Sequence, residues 1–540
     1  MKRALIIALP LVLVIGIIVV WLLWPKPKEL VYCSDKGPDT LIPILNHNEE
    51  AKYLCELIFD GLVNKTIVER GKERYEWALI EENGIVEERP EDRRSIIISL
   101  RKGVFWHDGR ELTADDVIYT FKAINESNSP LRSWLNTFIR SYEKVDNYQI
   151  RLRLTREMSR PAFMELFSPL KILPRWYTYK DQERELPYNL NDGSEISKEF
   201  KWKPIGTGPY KIKKRKPEEV ILEANKAYYL VRPEIERIKM QVEGDIAKAV
   251  KLLKGNQYAL LFDVKPEFFG ELRNLPLENQ TYLPYNFYAI AYNTRRYPFR
   301  DPLFRKAVSC GIDKRRLAQR FLGDLANNIE KCINHSIFPA SSMYVQDCPS
   351  CFQERYGFDP ERAKEFLGQS SVTKTFHLLI SSSIEGERVK RLASDLTRMM
   401  RDIGIRMVVD DLNRAQYYAK IRNANFDAVL FEFSGFDHLY DVRPLFGEQN
   451  IWGVNDDELN NLLKEFGRTL SWESFRIDGN IIVGLKDLAR SIHEKVEEIA
   501  PACFLFTVPR RAYYSDRLMD VTIHPEVGFS TIERWKLKQE

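Results

Sequence analysis

From Phe376 to Phe433 the hydrophobic period switches back and forth between that of a strand and that of a helix, and few folds accept such an order. Phe376 to Ile380 reads as a buried strand, and Val389, Leu392, Ala393, Leu396 and Ile403 recur at the spacing of one helical face. Gly404 stands where a helix end favours a residue free to take positive φ, and Ile405 to Val409 resumes as a strand. Tyr417, Tyr418 and Ile421 mark another helix, and Ala428 to Phe433 another strand. Units in this order imply right-handed crossovers and a mainly parallel α/β sheet. Further on, the stripe Leu485, Leu488, Ala489, Ile492, Val496 and Ile499 stops before Pro501, and Cys503 to Val508 is a strand.

The first half reads differently. A strand at Leu30 to Cys33 precedes a helix near Glu49 to Phe59, and about 60 to 200 the pattern is hairpins with inserted helices, as in the alternating run Ile150 to Leu154. The polar stretch Tyr188 to Lys203 is loop-rich, and a short helix falls near Ile246 to Lys254. Between Ser95 and Ile124 a strand, a tight turn and a capped helix follow in sequence. Ser95 to Leu100 is β-branched, His107-Asp108-Gly109 tolerates a left-handed turn, and Thr113 with Asp116 forms an acidic capping box. A chain of 540 residues calls for more than one lobe. With 81 Lys+Arg against 77 Asp+Glu and no basic run, there is no electrostatic footprint for nucleic acid.

Lys2 and Arg3 precede an uncharged, largely apolar stretch from Ala4 to Trp24. A spanning helix takes about 20 residues, whereas a cleaved signal has a core of about 7–15 and a small-residue cleavage site. Pro25-Lys26-Pro27-Lys28 follows instead, and Trp21 and Trp24 sit where an interfacial belt would place them. An uncleaved signal anchor is the expectation, with a cleaved signal as its alternative.

Catalytic patterns are missing from the sequence. The seven histidines are scattered, with no His-Glu-x-x-His, and Gly206-Thr207-Gly208-Pro209 lacks the spacing of a phosphate loop, reading instead as a turn before the strand Tyr210 to Lys213. Asp115 and Asp116 fit the first turn of a helix, where negative charge complements the dipole. No enzyme activity, cofactor or metal is expected. Cys332, Cys348 and Cys351 cluster in a Pro- and Ser-rich stretch where a disulfide could pin a long loop; free thiols and metal or redox chemistry at Cys348-Pro-Ser-Cys351 stay open.

Beyond this physics, the string Phe105-Trp106-His107-Asp108-Gly109-Arg110-Glu111-Leu112-Thr113-Ala114-Asp115-Asp116-Val117 resembles a signature of the extracytoplasmic solute-binding proteins of family 5, the dipeptide and oligopeptide class. Leu57 to Val63, Pro204 to Tyr210, Tyr292-Asn293-Thr294 with Phe299 to Lys314, Phe358 to Lys364 and Ile403-Gly404-Ile405 are similar to further elements of that family in the same order. The resemblance implies a two-lobed, periplasmic-binding-protein-like α/β fold with an extra subdomain in lobe I, preceded by the N-terminal transmembrane helix expected from the length of Ala4 to Trp24. Residues 1–25 would be the anchor, 26–285 lobe I with a subdomain at about 60–200, 286–508 lobe II, and 509–540 the return to lobe I. Crossings would fall near Tyr285 to Tyr292 and Phe506 to Tyr514, with the ligand between the lobes.

The family's peptide binders place an Asp after the strand written here Val429 to Glu432, where it pairs with the ligand's α-ammonium. Reading back from Pro444-Leu445-Phe446 puts Ser434 at that position and Asp437 at a structural Asp-Pro. Glu432 and Asp437 are the acidic substitutes within reach, since a buried ammonium needs a charged or multiply bonded partner. Ser382 and Ser383 stand where some dipeptide binders carry an Arg, while Glu385, Glu387 and Arg388 read as solvent-facing charges. Tyr285, Phe287 and Tyr288 on the first crossing, with Phe433 and Phe436 on the lobe II loop, are candidates to wall the cleft, core packing being the alternative for each. The resemblance implies capture of a peptide or peptide-like small molecule and its delivery to an ABC-transporter permease, from an inner-membrane anchor with the bulk of the chain extracytoplasmic. The alternative is a family member that has lost its ligand and serves as an anchored assembly factor.

Overall fold

The computed structural model describes residues 27–538 apart from short internal stretches, the longest being 187–202 and 434–449. The expected anchor, Ala4 to Trp24, lies outside the described residues, and so does most of the polar stretch Tyr188 to Lys203. Among the described residues no helix is long and apolar enough to cross a membrane.

Two mixed sheets organise the chain. The first has seven strands in the order Tyr210–Lys216, Glu219–Ala224, Arg237–Val242, Glu29–Ser34, Tyr258–Val264, Arg510–Ser515 and Leu277–Tyr282. Glu29–Ser34 runs parallel to both of its neighbours. Its side chains alternate between two cores, Leu30 and Tyr32 on one face, Val31 and Cys33 on the other. A strand covered on both faces shows as an unbroken apolar run, which is how Leu-Val-Tyr-Cys reads.

The second sheet has five strands in the order Arg406–Asp411, Thr375–Ile380, Ala428–Phe433, Phe287–Tyr292 and Ala502–Phe506. The first three are parallel and are joined by the helices Glu387–Asp402 and Arg414–Arg422, as the alternating periods require. Gly404 takes φ +84° just past the first helix. The sheet is nonetheless mixed rather than mainly parallel, because Phe287–Tyr292 is antiparallel to both of its partners. Apolar periodicity reports burial, not direction, and this strand enters from the other lobe instead of from a crossover helix. All six of its residues are buried, with Tyr288, Ile290 and Tyr292 in one core and Phe287, Ala289 and Ala291 in the other.

A separate antiparallel sheet, Ile80–Arg89, Asp92–Leu100, Gln149–Leu154 and Ile139–Lys144, joins the core of the first lobe. Beside it the helix Ala114–Glu126 starts at the expected cap, where the Thr113 amide donates to Asp116 Oδ2 at 2.8 Å. Asp116 is fully buried and also accepts from the Arg175 amide at 3.0 Å.

Three of the sequence motifs meet at one junction. The His107 amide donates to the Gly206 carbonyl at 2.9 Å, and the Gly206 amide donates back to His107 Nδ1 at 3.2 Å. That leaves the proton on Nε2, which donates to the Gly208 carbonyl at 3.0 Å. The Gly208 amide in turn donates to the Ile58 carbonyl at 2.9 Å. Thr207 Oγ1 donates to Asp60 Oδ2 at 3.1 Å, while Asp60 Oδ1 accepts from Asn64 and Tyr228. Gly206 is obligatory here, since a Cβ would lie 1.8 Å from the Ile58 carbonyl oxygen. The Gly-Thr-Gly-Pro element is thus a turn, and it clamps the turn at His107 onto the end of the helix Glu49–Ile58.

Candidate ligand cleft

Leu277–Tyr282 and Arg510–Ser515 pair with each other in the first sheet; Phe287–Tyr292 and Ala502–Phe506 pair in the second. The chain therefore crosses between sheets twice, at 283–286 and at 507–509, on neighbouring strands. These crossings are tighter than the stretches Tyr285 to Tyr292 and Phe506 to Tyr514. The second is tied down on lobe II: the Thr507 amide donates to the Cys332 carbonyl at 2.7 Å, and the Asn334 amide to the Leu505 carbonyl at 3.1 Å. In open α/β sheets ligands sit beyond the carboxyl ends of parallel strands. Those ends are Ser34, Val242 and Val264 in one sheet, and Ile380, Asp411 and Phe433 in the other.

Glu432 lies at this edge, but not alone. Arg510 Nη2 approaches its carboxylate to 3.6 Å, with both side chains mostly buried. Tyr285 is half-buried on the first crossing. Three of the expected cleft aromatics go elsewhere. Phe287 stacks on Phe433 at 5.2 Å inside the lobe II core, and Tyr288 packs edge-on against Phe321 at 5.4 Å and beside Phe506. The physical reason is that strand Phe287–Tyr292 is covered on both faces. Ser434, Phe436 and Asp437 lie outside the described residues.

Ser382 donates its amide and its hydroxyl to Asp411, at 2.9 and 2.7 Å. Arg388 is not a solvent-facing charge: its guanidinium lies 4.6 Å over the Phe321 ring and donates to the Phe321 carbonyl at 2.9 Å. Arg510 and Arg388 carried no local signal, because each acquires its neighbour only when distant segments are brought together.

Residues 78–452 match the family described as bacterial extracellular solute-binding proteins, family 5 (middle). The chain belongs to this family. As a family 5 solute-binding protein it is a binding protein rather than an enzyme. Di/tripeptide-binding protein 2 of Pseudomonas aeruginosa is 25% identical over 450 residues, covering 76% of this chain and 77% of that protein. The solved structure of the oligopeptide-binding protein AppA from Bacillus subtilis with a nonapeptide is similar over 95% of this chain and 100% of its own, with a TM-score of 0.69 and 20% identity. NikZ from Campylobacter jejuni, solved with Ni(L-His), is similar at a TM-score of 0.71 and 20% identity, over 95% of this chain and 100% of that one. These likenesses establish the two-lobed α/β fold of periplasmic binding proteins.

The cysteine cluster of this solute-binding protein divides. Cys348 and Cys351 are joined, closing a four-residue turn rather than pinning a long loop. Cys332 is a buried free thiol, and burial pushes its pKa up to about 11, as it does for Cys33 and Cys310, with Cys503 at about 12. Such thiols are poor nucleophiles. Three residues beyond the disulfide, Glu354 forms a buried ion pair with Lys314. Burial opposes the carboxylate charge, yet the Lys314 ammonium holds its pKa down to about 2. Lys314 Nζ also donates to the Asn334 carbonyl at 3.4 Å, and Asn334 Oδ1 accepts from Thr507 Oγ1 at 3.4 Å, so the pair braces the second crossing.

Proposed function

We propose that the protein is a membrane-tethered extracytoplasmic solute-binding protein that captures a peptide-like ligand between its lobes and delivers it to an ABC importer. The observation that carries this reading is the hinge: two adjacent crossings, 283–286 and 507–509, join sheets whose cores are separate. Bodies so joined move as wholes, which suits a trap that closes around a solute. The di/tripeptide-binding relative supports a peptide-like ligand. We place lobe I at 26–285 plus 509–540 and lobe II at 286–508, with a subdomain at about 60–200. Glu432 and Tyr285 face the ligand in this reading, together with the loop that carries Ser434, Phe436 and Asp437. The stretch Ala4 to Trp24 holds the chain at the inner membrane, about 20 apolar residues being enough for insertion that high salt does not reverse.

Calorimetry of the full-length protein in detergent micelles against pools of short peptides tests capture, and small-angle scattering tests closure. Heat release with a smaller radius of gyration is expected. Silence in both would leave the assembly-factor role standing instead.

A further inference from the structure

Of the seven cysteines, Cys348 and Cys351 are joined, and the other five are buried free thiols. The joined pair is half-buried, with exposed Pro349 and Ser350 between. A disulfide stabilises chiefly by closing a loop in the unfolded chain, and the gain grows with loop length. With a sequence separation of 3, this bridge closes a very short loop and is a poor staple. Its surroundings suit a different task. Cys348 caps the 3-10 turn Pro349–Phe352, and the Cys351 amide donates to the Cys348 carbonyl at 3.0 Å. The residues that follow are each held in place. Phe352 is buried against Phe338 and the His493 ring, at 5.8 and 5.2 Å. His493 Nε2 donates to the Gln353 carbonyl at 3.1 Å. Glu354 is paired with buried Lys314, and the Arg355 amide donates to Glu497 Oε2 at 2.7 Å. None of these contacts runs through sulfur, so breaking the S–S bond leaves the frame of the turn standing and the two thiols side by side. The two sulfurs are not equivalent. Cys351 packs on the lobe II core, whereas Ser350 Oγ lies 3.6 Å from Cys348 Sγ on the exposed side. A hydroxyl so placed can donate to a thiolate and favours its charged form.

We propose that Cys348-Pro349-Ser350-Cys351 is a thiol–disulfide exchange site that takes reducing equivalents from an external dithiol. A thiolate of the donor attacks Cys348 Sγ, which forms a mixed disulfide and releases the Cys351 sulfur as thiolate. The donor's second thiolate then attacks the donor sulfur of that mixed disulfide and releases Cys348. The donor leaves as a disulfide, oxidised by two electrons, and its two protons end on Cys348 and Cys351. A dithiol fits better than a monothiol. The freed Cys351 thiolate, held beside Cys348, expels a monothiol before a second molecule arrives. The exchange is stoichiometric and separate from the ligand cleft, so it stands or falls independently of solute capture.

The test uses the full-length protein in detergent micelles, without denaturant, against graded ratios of reduced to oxidised dithiothreitol. Samples are alkylated with N-ethylmaleimide and mapped by mass spectrometry. Labelling should appear on Cys348 and Cys351 together, reverse when oxidised dithiothreitol is restored, and leave the thermal midpoint near its starting value. Buried Cys33, Cys55, Cys310, Cys332 and Cys503 should label only after unfolding. Single variants separate the two sulfurs. Cys348 in Cys351→Ser should react with an aromatic disulfide reagent roughly 3- to 10-fold faster than Cys351 in Cys348→Ser. Where a variant misfolds, the wild-type titration decides. Faster exchange with a reduced Cys-x-x-Cys peptide than with dithiothreitol at equal thiol concentration would assign a protein donor, and the reverse a small-molecule one; either upholds the site. A bridge that opens only in denaturant, or whose reduction unfolds lobe II, would overturn the proposal and leave Cys348–Cys351 a structural staple.

Discussion

Acid should loosen the junction at His107, and the amount follows from its hydrogen bonds. The Gly206 amide points at Nδ1, so protonating that nitrogen sets one N–H against another. Burial first of all, with the Lys211 charge adding to it, lowers the His107 pKa from 6.5 to about 4 against the favourable Gly208 carbonyl. The unfolded chain therefore binds the proton more readily than the folded one, and stability is complete above pH 6.5 and falls as pH drops toward 4. Between pH 7.5 and 4.5 the linkage relation gives a loss of about 2.5 kcal/mol from this group. His107→Gln keeps a donor for the Gly208 carbonyl and strands the buried Gly206 amide, costing about 1–3 kcal/mol at neutral pH, yet it cannot titrate. Urea unfolding read by tryptophan fluorescence serves as the assay, because Trp106 is buried beside the junction and packs edge-on against Trp176 at 5.5 Å. Wild type should exceed the variant at pH 7.5, and the gap should close or reverse at pH 4.5. Comparing two proteins at each pH cancels other titrating groups, His493 among them. Equal pH slopes for the two would refute the assignment of the proton to Nε2.

Glu533 should show the opposite sign: burial raises its carboxyl from 4.5 to about 7, so stability is lost as pH rises through that window, and Glu533→Gln should gain on wild type by about 2.5 kcal/mol between pH 5 and 8 in the same unfolding assay. Glu354→Gln should cost lobe II up to about 3–5 kcal/mol by taking the paired carboxylate from the buried Lys314 charge, whereas Lys314→Met with Glu354→Leu should recover most of it, as calorimetric scans can show. Gly206→Ala should abolish soluble expression or lower the thermal midpoint of lobe I sharply, while Gly270→Ala, whose added Cβ meets nothing within 4 Å, should leave it near wild type.

The elements that were legible in the sequence are those built from local rules. The helix Glu387–Asp402 with Gly404 behind it, the box at Thr113 and Asp116, and the helix Leu485–Ile499 ending before Pro501 each depend on neighbours within one or two turns. The direction of Phe287–Tyr292 was not legible, because a strand's apolar run is the same whichever way its partners point. Nor was the fate of its aromatics, since a ring that walls a cleft and a ring that fills a core make the same demand on the sequence. Phe287 is settled only by Phe433 arriving against it.

The same distinction explains why the motifs revealed the family so much more clearly than the ligand. His107, Gly206, Gly208 and Asp60 are joined largely through backbone amides and carbonyls, and a Cβ at Gly206 would sit inside van der Waals contact with main chain that has nowhere to go. Such a junction dictates residue type whatever solute is carried, so its residues form recognisable strings. The contact between Glu432 and Arg510 works by other rules. Glu432 could face a ligand, an arginine or water without changing the strand it lies on, and only the return of the chain through 507–509 brings Arg510 to it. Side chains brought together from distant segments leave no contiguous string to read. If Glu432 faces the ligand as proposed, exchanging it should change affinity while the fold stands, whereas exchanging His107 or Gly206 should unsettle the fold.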